Sequence, residues 1–121
     1  MTSQPGRAIK REAERRHRRY PRYRCEFPVS VTLLSGEEHL RFNAHCKDLS
    51  AAGIGVIVAA ELTLGEVVSL GFCLPSSAQA WELRAVLRHR RGYHYGFEFF
   101  ALSEPQSKAL ADYFPALQRA D

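Results

Sequence analysis

The sequence lacks the features that would mark a membrane protein or an enzyme of a familiar class. No apolar run in its 121 residues approaches the roughly 20 residues that a membrane-spanning helix needs, and residues 1–11 contain no hydrophobic stretch of signal-peptide type. The chain also has no G-x-S-x-G, H-E-x-x-H or P-loop motif. We therefore expect a cytoplasmic protein without a membrane span, which is not an enzyme and needs no cofactor.

Cysteine is scarce, and its spacing is uninformative. The three cysteines are odd in number and include no C-x-x-C pair: Cys25, Cys46 and Cys73. This pattern predicts buried thiols rather than a disulfide framework or a structural zinc site. The histidines match no zinc signature either, so no metal site is expected.

Positive charge is concentrated at the start of the chain. Residues 1–24 hold nine arginine and lysine residues against two glutamates, a net charge of +7. Because the whole chain carries +4, the remainder is slightly acidic, at −3. A basic arm of this kind favours an anionic partner, such as a phosphate-bearing ligand, a nucleic acid or a membrane surface.

Strand-like segments follow one another closely in the middle of the chain. They are rich in β-branched and aromatic residues, or have apolar residues at every second position, and turn signals separate them. The predicted strands cover residues 27–34, 39–47, 54–58, 67–74, 81–87 and 93–102. Several short strands at this spacing favour a small barrel or sandwich, and 45% hydrophobic residues are enough to fill its core.

The spacing of apolar residues changes from a strand-like to a helix-like period after Ser103. Ser103, Pro105 and Gln106 have the arrangement of a capping box with proline in the first turn. Leu110, Phe114 and Leu117 then recur at helical spacing and form an apolar stripe. A C-terminal helix packed on the barrel is the predicted result.

Two short motifs carry candidate binding chemistry. Arg18 and Arg22 form an R-x-x-x-R motif before the first strand, and an arginine fork can bind a phosphate or the O6/N7 edge of guanine. A solvated basic tail would explain this motif equally well.

The second motif is Asp48-x-Ser50-x-x-Gly53, read as a loop between two strands. A carboxylate can accept hydrogen bonds from guanine N1–H and N2–H, and glycine allows a ligand close to the backbone. A turn in which Asp48 and Ser50 satisfy only local N–H groups is the alternative.

The two motifs together, in a short strand-rich chain that ends in a helix, resemble the PilZ domain family. The likeness extends beyond the motifs and covers roughly residues 14–117. It includes Glu14-Arg15-Arg16, Phe27-Pro28-Val29, Gly65 and Tyr95-Gly96-Phe97-Glu98-Phe99.

The resemblance implies a mostly β fold, a six-stranded antiparallel split β-barrel with a C-terminal α-helix. This domain would occupy residues 15–118, behind a flexible basic N-terminal arm in residues 1–14. It also implies a bacterial receptor for the second messenger cyclic di-GMP. On binding, the arm would reorder and signal to a partner protein in motility, exopolysaccharide or pilus control.

Roles for individual residues follow from the same resemblance. Arg18 and Arg22 would bind phosphate and the guanine Hoogsteen edge, Asp48 and Ser50 would contact guanine, and Gly53 would allow close approach. Arg15, Arg16 and Arg19 are candidates for additional contacts. Arg88 is a further candidate for a separate reason: it belongs to a basic cluster near a predicted hairpin tip, which favours a solvated turn unless the barrel brings Arg88 near the arm. His17, directly before the first motif, leaves open whether one or two ligand molecules bind.

Two alternatives remain open at this stage. A small nucleic-acid-binding barrel could use the basic arm, and its affinity would depend steeply on salt but not on Asp48. A PilZ-like adaptor could bind only proteins, although the intact signature argues against it. Cyclic di-GMP and a downstream protein are therefore the expected partners, rather than nucleic acid.

Overall fold

The computed structural model describes residues 20–75 and 79–120. These residues form seven strands, one α-helix and one 3-10 helix. In chain order they are β1 (Tyr23–Arg24), β2 (Pro28–Leu33), β3 (Arg41–Leu49), β4 (Gly53–Ile57), β5 (Val67–Cys73), β6 (Ala80–Arg91), β7 (His94–Phe100), α1 (Glu104–Tyr113) and the 3-10 helix (Phe114–Ala116).

The strands close into a barrel. All pairs are antiparallel in the order β1-β3-β2-β5-β6-β7-β4, and a further pairing of β3 with β4 completes the circle. Six strands, β2 to β7, therefore form the closed barrel, and β1 is an extra strand beside β3. Closure gives each of the strands β2 to β7 a partner on both sides, which protects their backbone groups from pairing with other chains.

Alternation of apolar side chains explains the barrel core. In β5, and in β6 as far as Leu87, every second residue is buried, as a strand that is half exposed requires. The most deeply buried large side chains come from all parts of the barrel and from the helix: Tyr95, Leu49, Leu70, Leu74, Leu87 and Leu110. The predicted β-barrel with a C-terminal helix is thus confirmed.

Helix α1 begins where the sequence predicts. The Ser103 hydroxyl accepts from the Gln106 N–H at 3.2 Å, and the Gln106 side chain accepts from the Ser103 N–H at 3.0 Å. This reciprocal pair satisfies two otherwise unpaired backbone donors. The apolar stripe then buries Leu110, Tyr113 and Phe114 in the common core.

Three details differ from the sequence prediction. The two-residue strand β1 was not predicted, because so short a segment has no detectable period. Asp48 belongs to β3 and Gly53 to β4, so the predicted loop between them shrinks to residues 50–52. Strand β6 also extends to Arg91, four residues beyond its predicted end, because the sequence there is too polar to show alternation.

The prediction for the cysteines was wrong in two respects. Cys25 and Cys46 are buried, but they are paired as a disulfide, with their Cα atoms 6.1 Å apart. Cys73 is a free cysteine and is exposed rather than buried. Only the tertiary pairing of β3 with the segment around β1 brings the first two cysteines together, and their separation of 21 residues gave no hint of it.

Candidate ligand-binding site

A cavity of about 340 Å³ lies on the outer face of the barrel, where β3, β4, β6 and β7 meet the segment that leads into β1. Its size falls within the range of small-molecule sites. Its lining includes each predicted ligand-binding residue that the structure describes, which are Arg22, Asp48, Ser50, Gly53 and Arg88. Residues from four distant parts of the sequence therefore converge on one surface.

Arg22 is held at this cavity by the anchoring of β1. Tyr23 and Arg24 pair with Leu49 and Asp48 of β3. On the other side of β1, the Arg24 N–H donates to the Gln118 carbonyl, and the Ala120 N–H donates to the Arg22 carbonyl, each at 2.8 Å. The Tyr23 ring stacks on Phe114 at 4.6 Å, as expected if this tyrosine anchors the lead-in segment to the barrel.

A β-bulge directs Asp48 outward. The register of β3 against β4 shifts between Cys46 and Asp48, so that Cys46 and Leu49 both point into the core. Regular alternation would have placed Asp48 on the same side as Cys46. The extra residue reverses the parity and leaves the Asp48 carboxylate in the cavity, a common use of bulges at functional sites.

Glycine and histidine surround the Asp48 carboxylate. A Cβ atom at Gly55 would lie 2.7 Å from Asp48 Oδ2 and 2.9 Å from the His94 ring, so glycine makes room for both side chains. His94 Nε2 is 3.6 Å from Asp48 Oδ2. The Asp48 side chain keeps 18% of its surface exposed, which leaves the carboxylate accessible from the cavity.

Ser50 and Gly53 shape the turn between β3 and β4. The buried Ser50 hydroxyl accepts from the N–H groups of Ala52 and Gly53, each at 3.1 Å. Ser50 thus makes local turn bonds, and its predicted contact with guanine stays a prediction. Gly53 also has a packing role, because its φ is not positive and a Cβ there would meet the Phe97 carbonyl oxygen at 2.3 Å; its role in ligand approach stays a prediction.

The opposite wall of the cavity carries Arg88 and His89 at a second bulge. The register of β6 against β7 shifts between Leu87 and His89. Arg88 Nε donates to Glu98 Oε1 at 2.7 Å, but both side chains are more than half exposed. Such a surface ion pair contributes at most about 1 kcal/mol, so Arg88 can exchange Glu98 for another anion at little cost.

The sequence prediction missed four residues around this site, which are Gly55, His89, His94 and Gly96. Gly55 and Gly96 leave the strand surface low, and the space that a side chain at position 96 would fill is occupied by the His89 ring. His94 lies beside the Asp48 carboxylate. The available signal was glycine inside two strand patterns, which indicates close approach of another group to the backbone.

An ion-pair cluster fixes the segment that follows β1. Glu26 accepts from Lys47 Nζ at 2.8 Å and lies 2.9 Å from His45 Nε2, both on β3. The hydrogen bond from Lys47, and then that from His45, lowers the pKa of the Glu26 carboxyl. The connection from β1 to β2 is thus fastened to β3 by side chains as well as by backbone.

Several predictions concern residues outside those that the structure describes. Arg15, Arg16, Arg18 and Arg19, together with the arm in residues 1–14, lie outside the described residues, and their roles stay predictions. Within residues 20–75 and 79–120, no three histidine, cysteine or acidic side chains cluster as a metal site would require. In the same part of the chain, no helix has the length and apolar character needed to cross a membrane.

Comparison with known proteins agrees with the resemblance noted in the sequence. The model of the PilZ domain family matches residues 15–115. A search of curated proteins found no match.

Three solved structures have a similar fold. The PilZ domain of CeSA from a cellulose-synthesizing bacterium is 18% identical, with a TM-score of 0.61, covering 78% of this chain and 95% of that one. The Bacillus subtilis inhibitor of motility MotI/DgrA is 22% identical, with a TM-score of 0.62, covering 82% of this chain and 49% of that one. The PilZ domain of Escherichia coli YcgR, solved with cyclic di-GMP, is 22% identical, with a TM-score of 0.59, covering 83% of this chain and 90% of that one.

Proposed function

Because the chain belongs to the PilZ domain family, we propose that it is a receptor for cyclic di-GMP that acts by binding and not by catalysis. The observation that carries this proposal is the shared cavity of Arg22 and Asp48, one at the lead-in to the barrel and the other at a bulge in β3. The fold similarity to the YcgR domain, which was solved with this ligand, supports the same assignment.

Arginine side chains supply the chemistry for the anionic part of the ligand. Arg22 and Arg88 both line the cavity, and each can bind a phosphate through two parallel hydrogen bonds. The lead-in before Arg22 adds further arginines, of which Arg18 is the expected partner in the motif. A cyclic dinucleotide with two phosphates matches this arrangement better than a neutral ligand would.

The Asp48 carboxylate supplies the chemistry for guanine. It has two acceptor oxygens and no donor, so it pairs with the adjacent N1–H and N2–H donors of guanine. Adenine offers no such pair on that edge. Above Gly55 and Gly96 the space is filled by the Asp48 carboxylate and by the rings of His94 and His89, so these groups form the surface that a base would meet beside the carboxylate.

Guanine selectivity therefore tests the proposal. We expect isothermal titration to show binding of cyclic di-GMP and much weaker binding of cyclic di-AMP and GTP. Asp48→Asn should weaken cyclic di-GMP binding about 30-fold, because the amide replaces one acceptor oxygen by a donor that opposes the guanine donors. The same variant should bind cyclic di-AMP no worse than the wild type does.

A matched control comes from helix α1. Asp112→Asn removes the same charge from an exposed residue that forms an ion pair with Lys108, and it should leave the affinity unchanged. Two results would contradict the proposal. One is equal binding of both cyclic dinucleotides, and the other is RNA or DNA binding with a steep salt dependence that Asp48→Asn does not alter.

The proposed signal is a change in the order of the N-terminal arm. Residues 1–24 carry a net charge of +7, and like charges on one segment repel each other. The two phosphates of the ligand reduce this repulsion, so that the arm folds over the cavity next to Arg22. An order–disorder change of this kind would present a new surface to a downstream protein.

Spin labels would detect the change directly. In a Cys73→Ser background, a nitroxide on Ala8→Cys should lose mobility when cyclic di-GMP is added, because the arm becomes fixed to the barrel. A nitroxide on Lys108→Cys, on the exposed face of α1, should not respond. Unchanged mobility at residue 8 under saturating ligand would rule out the arm as the moving element.

A further inference from the structure

The Cys25–Cys46 pair lies at the junction between the lead-in segment and the barrel. Cys25 directly follows β1, and Cys46 lies in β3 beside the bulge. Both side chains are buried, with exposed fractions of 5% and 0%. Their Cα separation of 6.1 Å falls within the range that a disulfide spans without backbone movement.

Each cysteine adjoins one half of the candidate site. Cys25 comes three residues after Arg22, and its N–H donates to the Lys47 carbonyl at 3.3 Å. Cys46 comes two residues before Asp48, and its Sγ lies 3.4 Å from the Asp48 carbonyl oxygen. The cross-link therefore fastens the strand that carries Arg22 to the strand that carries Asp48.

We propose that Cys25 and Cys46 form a reversible oxidation site that sets the affinity of the cavity for its ligand. The bond locks β1 in register on β3, and its reduction leaves this two-residue strand held by non-covalent contacts, which include its two residue pairs with β3, the backbone bonds to the C-terminal segment and the Tyr23–Phe114 stack. Short, weakly held elements open first. The effect on affinity rests on the proposed function, whereas the oxidation site itself does not.

The chemistry needs a small disulfide of the glutathione class. One cysteine thiolate attacks that disulfide, which forms a mixed disulfide and releases one thiolate of the small molecule. The second cysteine thiolate then attacks the mixed disulfide, closes the Cys25–Cys46 bond and releases the other. Two electrons pass from the protein sulfurs to the small disulfide, which takes up the two protons as two thiols.

Burial couples this chemistry to the ligand. Because both sulfurs are shielded, exchange requires β1 to lift away from β3. A ligand that holds Arg22 and Asp48 together opposes this opening. By thermodynamic linkage, the factor by which oxidation raises the ligand affinity must equal the factor by which the ligand favours the oxidised form.

The test uses the full chain with Cys73→Ser, which removes the exposed third cysteine. The protein is equilibrated in glutathione buffers of graded redox potential, alkylated and mapped by mass spectrometry, and both forms are titrated with cyclic di-GMP. We expect a Cys25–Cys46 link that forms and breaks within the buffer range, and affinity about fivefold or more higher in the oxidised form. Amide hydrogen exchange over residues 20–26 should be slower in that form.

Cys25→Ser serves as the control and should bind alike in all buffers. If that variant does not fold, the mapping and exchange data of the Cys73→Ser protein still decide the matter. Failure to map the link, or equal affinity and equal exchange in both forms, would overturn the inference. A link that forms and slows exchange, in a protein that binds no cyclic di-GMP in either form, would refute the proposed function and support the oxidation site alone.

Discussion

Arg22→Ala should weaken cyclic di-GMP binding by about a hundredfold or more. The guanidinium can donate two charge-assisted hydrogen bonds to a phosphate or to the guanine edge, and each contributes about 1.5–3 kcal/mol. The backbone around Arg22 is already fixed by β1 and by the Ala120 N–H, so truncation of the side chain removes a group that is held at the cavity. Isothermal titration at constant salt measures the loss.

Two further variants distinguish a specific contact of Arg22 with the ligand from an effect of the protein's net charge. Arg41→Ala removes the same charge from an exposed residue at the far end of β3, and it should change the affinity less than about twofold under physiological screening. Arg22→Lys keeps the charge but not the fork, and it should show an intermediate loss of about tenfold. Similar losses of affinity for Arg22→Ala and Arg41→Ala would mean that the affinity depends only on the net charge of the protein.

Gly53→Ala is expected to lower the free energy of unfolding by about 3 kcal/mol, at the upper end of what overpacking costs. The new methyl group would lie 2.3 Å from the Phe97 carbonyl oxygen and 3.3 Å from its carbon. These are backbone atoms of β7 and cannot rotate away, so β4 and β7 must separate. Their pairing is part of the closed barrel, and a urea titration should show the loss in the transition midpoint.

Gly71→Ala provides the matched strand control. Its nearest neighbour would be the Ser30 hydroxyl at 2.6 Å, the end of a small side chain that can rotate. We expect a change below about 1 kcal/mol for this variant. If Gly53→Ala instead left stability intact and abolished ligand binding, the glycine would be required for ligand approach, as the sequence motif first implied, and not for strand packing.

The sequence predicted the fold more fully than it predicted the site. Strand alternation and the Ser103 capping box depend on near neighbours in the chain, so the barrel strands and helix α1 lie close to where they were predicted. The direction of the Asp48 side chain depends on a register shift between β3 and β4, which strand periodicity does not encode. His94 was missed for the same kind of reason, because its contact with Asp48 exists only once β7 and β3 flank β4.

For the second motif, too, the sequence predicted less than the tertiary structure shows. The spacing in Asp48-x-Ser50-x-x-Gly53 predicted a turn with a binding role, but not the packing role of each residue there. In the structure all three residues line the cavity, but Ser50 also bonds the turn, Gly53 also makes room for the backbone of β7, and Asp48 points its carboxylate outward. The same spacing is compatible with ligand contacts and with packing roles, so only the folded structure reveals the packing roles.

The order of residues along the chain was sufficient to define a strand-rich domain, its final helix, its basic lead-in and its family, because each of these depends on local pattern and composition. Barrel closure decided the rest. It placed Arg22 and Asp48 at one cavity, formed the glycine-lined surface between them and paired Cys25 with Cys46. Closure brings together residues that are far apart in the chain, and that proximity arises from strand pairing and core packing rather than from any short stretch of sequence.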